Sequence, residues 1–175
     1  MEHRAGWLDP VFVALSIIGY AGLVWIGLAP LLAFLARRNV YFGLGLSAVC
    51  VWSADLVSLG IKAATARARP FETITQADPL IGATVGQSMP SGHAATSFAG
   101  AVVLTYLLRR SAPYVFVLAT AISFSRVYVG VHYLSDAVAG AALGAAMALF
   151  VLALVRARRR ISRARLRSEE APPAG

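Results

Sequence analysis

Charge is scarce in this chain. Only 14% of its residues are charged and 58% are hydrophobic, where an ordinary soluble domain carries about 25% charge. A soluble protein of 175 residues could bury a core, but it would need far more polar surface to cover it. The membrane class therefore comes first, in keeping with a mean hydropathy of +0.69. Acidic residues are few, eight against sixteen Lys and Arg, for a net charge of +8. A pI near 10.6 usually points to nucleic acid. Here nearly all the bases are arginines in short clusters between apolar runs, the pattern of topology determinants, so no nucleic-acid partner is expected. The one cysteine, Cys50, lies in an apolar stretch. It excludes an internal disulfide and reads as an inert packing residue.

What the chain does have is long apolar stretches, at residues 10–36, 40–64, 92–108, 112–129 and 134–155. A spanning helix takes about 20 residues, with a range of about 17 to 25, so each stretch predicts one span, the third and fourth at the short end. The first is too long for a secretory h-region and is followed by Arg37 and Arg38, which argues against a cleaved signal peptide. It is also too short for two spans. The expected fold is all-α, a polytopic transmembrane helical bundle of five spans. Further arginines follow the third span (Arg109, Arg110) and the fifth (Arg156, Arg158, Arg159, Arg160, Arg163, Arg165, Arg167). With five spans all the clusters fall on one side, which puts the N-terminus outside and the C-terminus in the cytoplasm. Glu2, Asp9, Glu72 and Asp78 fall on the opposite face. Residues 1–155 read as a single transmembrane domain. Residues 156–175 read as a basic cytoplasmic tail that anchors topology and is disordered at its end.

The longest polar interruption, residues 67–90, is rich in proline and glycine and reads as an outer loop. Three polar clusters flank it and the next outer connection. Lys62 and Arg69 stand at the outer end of the second span, seven apart, and share a face while the helix lasts. Pro70 is expected to end that helix. Two fixed cations make a phosphate clamp, although basic residues at span ends also snorkel or anchor. Pro90, Ser91, Gly92 and His93 open the third span. Ser91 suits an N-cap and Gly92 a close backbone approach, and the helix start is an anion site with His93 beside it. Alone, this tetrapeptide reads equally well as a capped helix with an interfacial histidine. The third cluster holds Ser125, Arg126, His132 and Asp136. His132 and Asp136 are one helical turn apart, so the carboxylate can reach a ring nitrogen. That fixes the tautomer and frees the other nitrogen as a nucleophile. Ionisable groups at these depths are costly unless paired or solvated. Lys62, Arg69, His93, Arg126, His132 and Asp136 all fall at outer span ends, which favours one functional site over scattered core residues.

These residues resemble the type 2 phosphatidic acid phosphatase superfamily of lipid phosphatases, with its motifs K-x6-R-P, P-S-G-H and S-R-x5-H-x3-D. Every fixed position is present, in order and at the family's spacing: Lys62, Arg69, Pro70; Pro90, Ser91, Gly92, His93; Ser125, Arg126, His132, Asp136. The resemblance covers residues 62–136 by motif and the rest by hydropathy. It implies that His132 attacks phosphorus to form a phosphohistidine while Asp136 orients it. His93 would protonate the leaving oxygen and then activate water. Lys62, Arg69, Arg126, Ser91 and the Gly92 backbone would bind the phosphate. No cofactor and no metal are implied, because the chain offers no cluster of carboxylates or histidines for a metal pair, and activity is expected to survive chelation. Many bacterial members have six spans, with two or more helices before the one that ends in the first motif, whereas here only one precedes it.

The substrate implied is a phosphate monoester or diphosphate of a lipid displayed on the outer leaflet of a bacterial cell membrane. Polyprenyl diphosphate comes first, and phosphatidylglycerophosphate, phosphatidic acid and phosphorylated polyprenyl-phosphate sugars follow. Competing readings are a lipid phosphotransferase using the same histidine, a vanadate-dependent haloperoxidase, against which five spans speak, and a non-enzymatic membrane binding or transport protein. Asp55, one face with Lys62 but roughly 10 Å deeper at 1.5 Å per residue, reads as structural. So do the small residues of the fifth span, Ala137, Ala139, Gly140, Ala141, Gly144 and Ala145, which suit close helix packing.

Overall fold

The computed structural model describes residues 6–74, 79–82 and 84–169, and the described residues form helices and connecting turns without a strand. Glu2, Asp78 and the last part of the tail, residues 170–175, lie outside the described residues.

The first apolar stretch is not one continuous helix. It forms α1 (Asp9–Ile18) and α2 (Leu23–Leu35), whose axes are bent by 49°. Between them Ala21 (φ 50°) and Gly22 (φ 69°) take left-handed conformations, which breaks the helical ladder. Glycine suits the second of these positions, and a Cβ there would come within 2.4 Å of Val51. Hydropathy could not show the break, because both halves are apolar.

Helix α3 (Val40–Thr65) starts on Asn39, whose side chain accepts from the Phe42 amide at 2.9 Å. It stops at Thr65, with Ala66 left-handed at φ 46°, before Pro70 is reached. Lys62 and Arg69 therefore do not share a helical face, contrary to the sequence expectation. Arg69 is extended, as a residue before proline prefers, and precedes the single turn α4 (Pro70–Thr73). The remaining helices are α5 (Gly92–Leu107), α6 (Ala112–Tyr128) and α7 (Leu134–Glu169). The last continues through most of the arginine segment expected to be a tail, because arginine is a good helix former.

Helix α5 is the axis of the bundle and packs on α2, α3, α6 and α7. Small residues allow its neighbours to come close. A Cβ on Gly140 would lie 2.3 Å from the Ser91 carbonyl oxygen, one on Gly144 2.0 Å from that of Ala95, and one on Gly100 2.3 Å from the Trp25 ring. Trp25 is fully buried and donates its indole N–H to Ser97 Oγ at 3.3 Å. Cys50 is buried in the same core.

Helices α3 and α7 are long and apolar enough to cross a membrane, and the bent α1–α2 pair adds a third crossing if it counts as one span. Helices α5 and α6 have 16 and 17 residues. The guanidinium groups of Arg38 and Arg156 both lie over the Tyr106 ring, so arginines from the first and last clusters share one end of the bundle.

Candidate active site

At the other end of the bundle the ends of α3 and α6 meet the starts of α5 and α7. Thr65 Oγ1 donates to the Met89 carbonyl at 2.8 Å, and the Ser91 amide donates to the Asp136 carbonyl at 2.9 Å. The second bond ties the first turn of α7 to the N-cap of α5.

Asp136 is fully buried and its carboxylate is the hub of the site. One oxygen accepts from Arg67 Nη1 at 2.8 Å. The other accepts from the Tyr133 amide at 2.9 Å and from the Ser88 hydroxyl, and lies 3.5 Å from His132 Nδ1. Ser88 Oγ is itself 3.4 Å from that nitrogen. With Nδ1 turned to Asp136, Nε2 is the nitrogen left for chemistry. His132 is 4% exposed. Its imidazole is pushed down to about 4, by burial first and then by Arg69, Lys62 and Arg126, against an upward pull from the Asp136 hydrogen bond. The ring is therefore neutral at pH 7 and surrounded by three cations.

Those cations are held from separate elements. Lys62 Nζ donates to the Gln87 carbonyl at 2.9 Å. The buried guanidinium of Arg69 donates to the carbonyls of Gly86 at 2.7 Å and Val131 at 2.9 Å, gripping both outer connections. Arg126 is also buried. Its Nη1 donates to Ser16 Oγ, but its Nε is buried with no hydrogen-bond partner among the described residues. A buried charged donor left unpaired is costly, so this atom marks a place for an anion.

His93 lies in the first turn of α5, within electrostatic range of Arg126, His132 and Lys62. Its Nε2 is 3.2 Å from the Ser16 carbonyl oxygen. A carbonyl only accepts, so Nε2 carries a proton there. Ser91 caps α5, its hydroxyl accepting from the Ala94 amide at 3.5 Å. Gly92 faces α3 so closely that a Cβ would stand 3.2 Å from Asp55 Oδ1. Asp55, expected to be separated from the site by depth, instead lines a cavity of about 240 Å³ together with His93 and Thr96.

Lys62, Arg69, Ser91, Gly92, His93, Arg126, His132 and Asp136, the site residues expected from sequence, thus gather at one end of the bundle. Sequence reasoning missed three others. Arg67 holds Asp136 and lies over the Tyr133 ring, 4.2 Å from its centroid; its only signal was its place inside the first motif. Ser88 carried none. Ser16 supports both His93 and Arg126 from α1, which only the fold reveals. Among the described residues, no three His, Cys, Asp or Glu side chains converge as metal ligands.

The sequence model of the PAP2 superfamily matches residues 40–160. The chain belongs to the PAP2 superfamily. It is 36% identical over 147 residues to an undecaprenyl-diphosphatase of Sulfolobus acidocaldarius, covering 81% of this chain and 68% of that protein. It is 29% identical over 157 residues to the bacitracin transport permease protein BcrC of Bacillus licheniformis, covering 79% and 77%. Its fold matches a transmembrane PAP2-type phosphatidylglycerolphosphate phosphatase from Bacillus subtilis with TM-score 0.69 and 25% identity, over 87% of this chain and 79% of that one. The undecaprenyl-diphosphatase and the phosphatidylglycerolphosphate phosphatase among these relatives are phosphoric ester hydrolases that act on lipids.

Proposed function

We propose that this PAP2 chain is a multi-pass phosphatase of a bacterial cell membrane that works without a metal, hydrolysing a lipid phosphate or diphosphate through a phosphohistidine on His132. The observation that carries the reading is the pairing of His132, oriented by buried Asp136, with the unpartnered Nε of Arg126. A nucleophile and an unsatisfied anion donor stand within electrostatic range of each other.

In the first step His132 Nε2 forms the N–P bond while the bond from phosphorus to the lipid oxygen breaks. That oxygen takes the Nδ1 proton of His93, which enters this step protonated on both ring nitrogens and leaves it neutral, with Nε2–H still on the Ser16 carbonyl. In the second step His93 takes a proton from water. The resulting hydroxide attacks phosphorus, and the P–N bond breaks to return His132 and release phosphate. Lys62, Arg69 and Arg126, with the hydroxyl of Ser91 and the amide of Gly92 at the start of α5, stabilise the equatorial oxygens. Positioning and electrostatic stabilisation carry most of phosphoryl transfer, and three fixed cations supply the charge that a metal supplies elsewhere.

The chain crosses the membrane five times on this reading, with the α1–α2 pair as one crossing. Helices α5 and α6 rise roughly 24 to 26 Å at 1.5 Å per residue, a little less than the roughly 30 Å hydrocarbon core. Helix α5 is sheathed by its neighbours and need not match the bilayer itself. The arginines at the end opposite the site face the cytoplasm, and the site faces out. Polyprenyl diphosphate is the first choice of substrate, supported by the undecaprenyl-diphosphatase relative; phosphatidylglycerophosphate follows, supported by the structural relative. Phosphate release from a panel of these lipids in detergent, with and without EDTA, tests the reading. The rate on the preferred lipid is expected to be the same in both, and loss of activity in EDTA contradicts metal independence.

A further inference from the structure

At the bundle end opposite the reaction site, Arg38, Arg109 and Arg156 line one cavity of about 510 Å³. They come from three separate places: the turn after α2, the turn after α5, and α7. Arg38 and Arg156 lie over the same Tyr106 ring, their guanidinium carbons 5.1 and 5.5 Å from its centroid. Among the described residues none of the three arginines pairs with a carboxylate. Arginines that serve only as topology anchors gain by spreading apart into the headgroup layer, since like charges repel. These converge instead.

Two further features describe what the cavity takes. Thr105 lines it, and its hydroxyl is buried without a hydrogen-bond partner among the described residues. Thr96 and Ser123 instead bond back to their own helix, to the carbonyls of Gly92 and Ala119, whereas Ser58 in α3 shares the unpartnered state of Thr105 but does not line this cavity. Below the arginines the wall is apolar, formed by Val102, Phe116, Leu149 and Leu152 from α5, α6 and α7. Cations at a mouth, an unsatisfied hydroxyl and an apolar wall fit an amphiphile with an anionic head. The site is separate from the chemistry, because Thr105 is twelve residues from His93 along α5, roughly 18 Å at 1.5 Å per residue.

We propose that this cavity binds one anionic phospholipid of the adjoining leaflet, its phosphate held by Arg38, Arg109 and Arg156 and an acyl chain lying along the apolar wall. The planar guanidinium fork suits a phosphate held by two parallel hydrogen bonds. The cation–π contacts with Tyr106 orient two of the forks. Charge complementarity names the occupant: a zwitterionic head would bring its own cation into a cluster that has no carboxylate to receive it.

The test uses the purified protein in detergent, titrated with phosphatidylglycerol, with phosphatidylcholine and with inorganic phosphate, bound lipid being counted by native mass spectrometry. The triple variant Arg38→Lys, Arg109→Lys, Arg156→Lys keeps net charge and topology determinants but loses the forks. Thr105→Val removes the hydroxyl with little change of volume, and Arg160→Lys with Arg163→Lys is the tail control. The reaction site is untouched in all of them, so it contributes an equal background, and an unchanged rate of phosphate release shows that each variant folds. The expected result is one tightly held phosphatidylglycerol per chain. Its affinity should fall about tenfold or more in the triple variant, fall less in Thr105→Val and stay unchanged in the control. The proposal is overturned if the triple variant binds as the parent does, if the tail control loses as much, or if phosphatidylcholine or free phosphate binds as tightly as phosphatidylglycerol.

Discussion

Asp136 holds His132 at 3.5 Å, carboxylate oxygen to Nδ1, and is itself held by Arg67 at 2.8 Å. The carboxylate therefore works as a fixed arm rather than as a free charge. Replacing Asp136 by Asn keeps the shape but can present an N–H to Nδ1, which favours the wrong tautomer. A loss of roughly 10³ to 10⁴-fold in kcat is expected, by analogy with the same change in serine-protease triads. Phosphate release by the folded variant measures it, and a loss below tenfold contradicts the assigned role.

Arg67 bonds Asp136, the residue that orients His132 in the proposed mechanism. Arg67→Gln is expected to lower kcat by up to about 10²-fold, the cost of slight misplacement of a reacting group, with little change in KM. Arg67→Lys should recover part of the rate by restoring the charge next to Asp136. A change in KM alone would instead make Arg67 a substrate contact.

Acid titrates His132 from outside the bundle's helices. Its ordinary value is 6.5 and its folded value about 4, so the folded state favours the neutral ring. On acidification the unfolded chain binds this proton first. The stabilisation from neutral His132 is therefore complete above about pH 6.5 and is lost as pH falls toward 4. The proposed mechanism needs the neutral ring, so the acidic limb of kcat/KM from this group is expected near pH 4. A limb near 6.5 would mean that His132 is solvated in the working enzyme.

Close packing of α5 on α7 positions the same arm. Gly144→Leu would drive a side chain into the Ala95 carbonyl, since even a Cβ would lie 2.0 Å from it. The variant is expected to lose at least about 1 to 3 kcal/mol of stability, read as a lower Tm in detergent. Gly60→Ala, where nothing lies within 4 Å of the added Cβ, should change little.

Much of this arrangement was legible beforehand, and the exceptions have physical causes. Motif spacing alone sends Lys62, Arg69, His93, Arg126, His132 and Asp136 to one end, because a helical bundle has only two ends. Apolar length found the helices but not the break at Ala21 and Gly22, since lipid-facing composition is the same on both sides of a kink. The end of α3 was misjudged because Pro70 is the stronger local signal, yet the left-handed turn at Ala66 comes first. Arg67, Ser88 and Ser16 act through partners 69, 48 and 77 positions away in sequence. No local pattern reports contacts of that range.

The central claim is that phosphate passes through His132 without a metal. The direct measurement is a rapid quench of the protein with radiolabelled polyprenyl diphosphate or phosphatidylglycerophosphate in EDTA, followed by location of the acid-labile label. The account predicts label on His132 in the wild type and none in His132→Ala. Turnover by His132→Ala at the wild-type rate, or label on another residue, would contradict it.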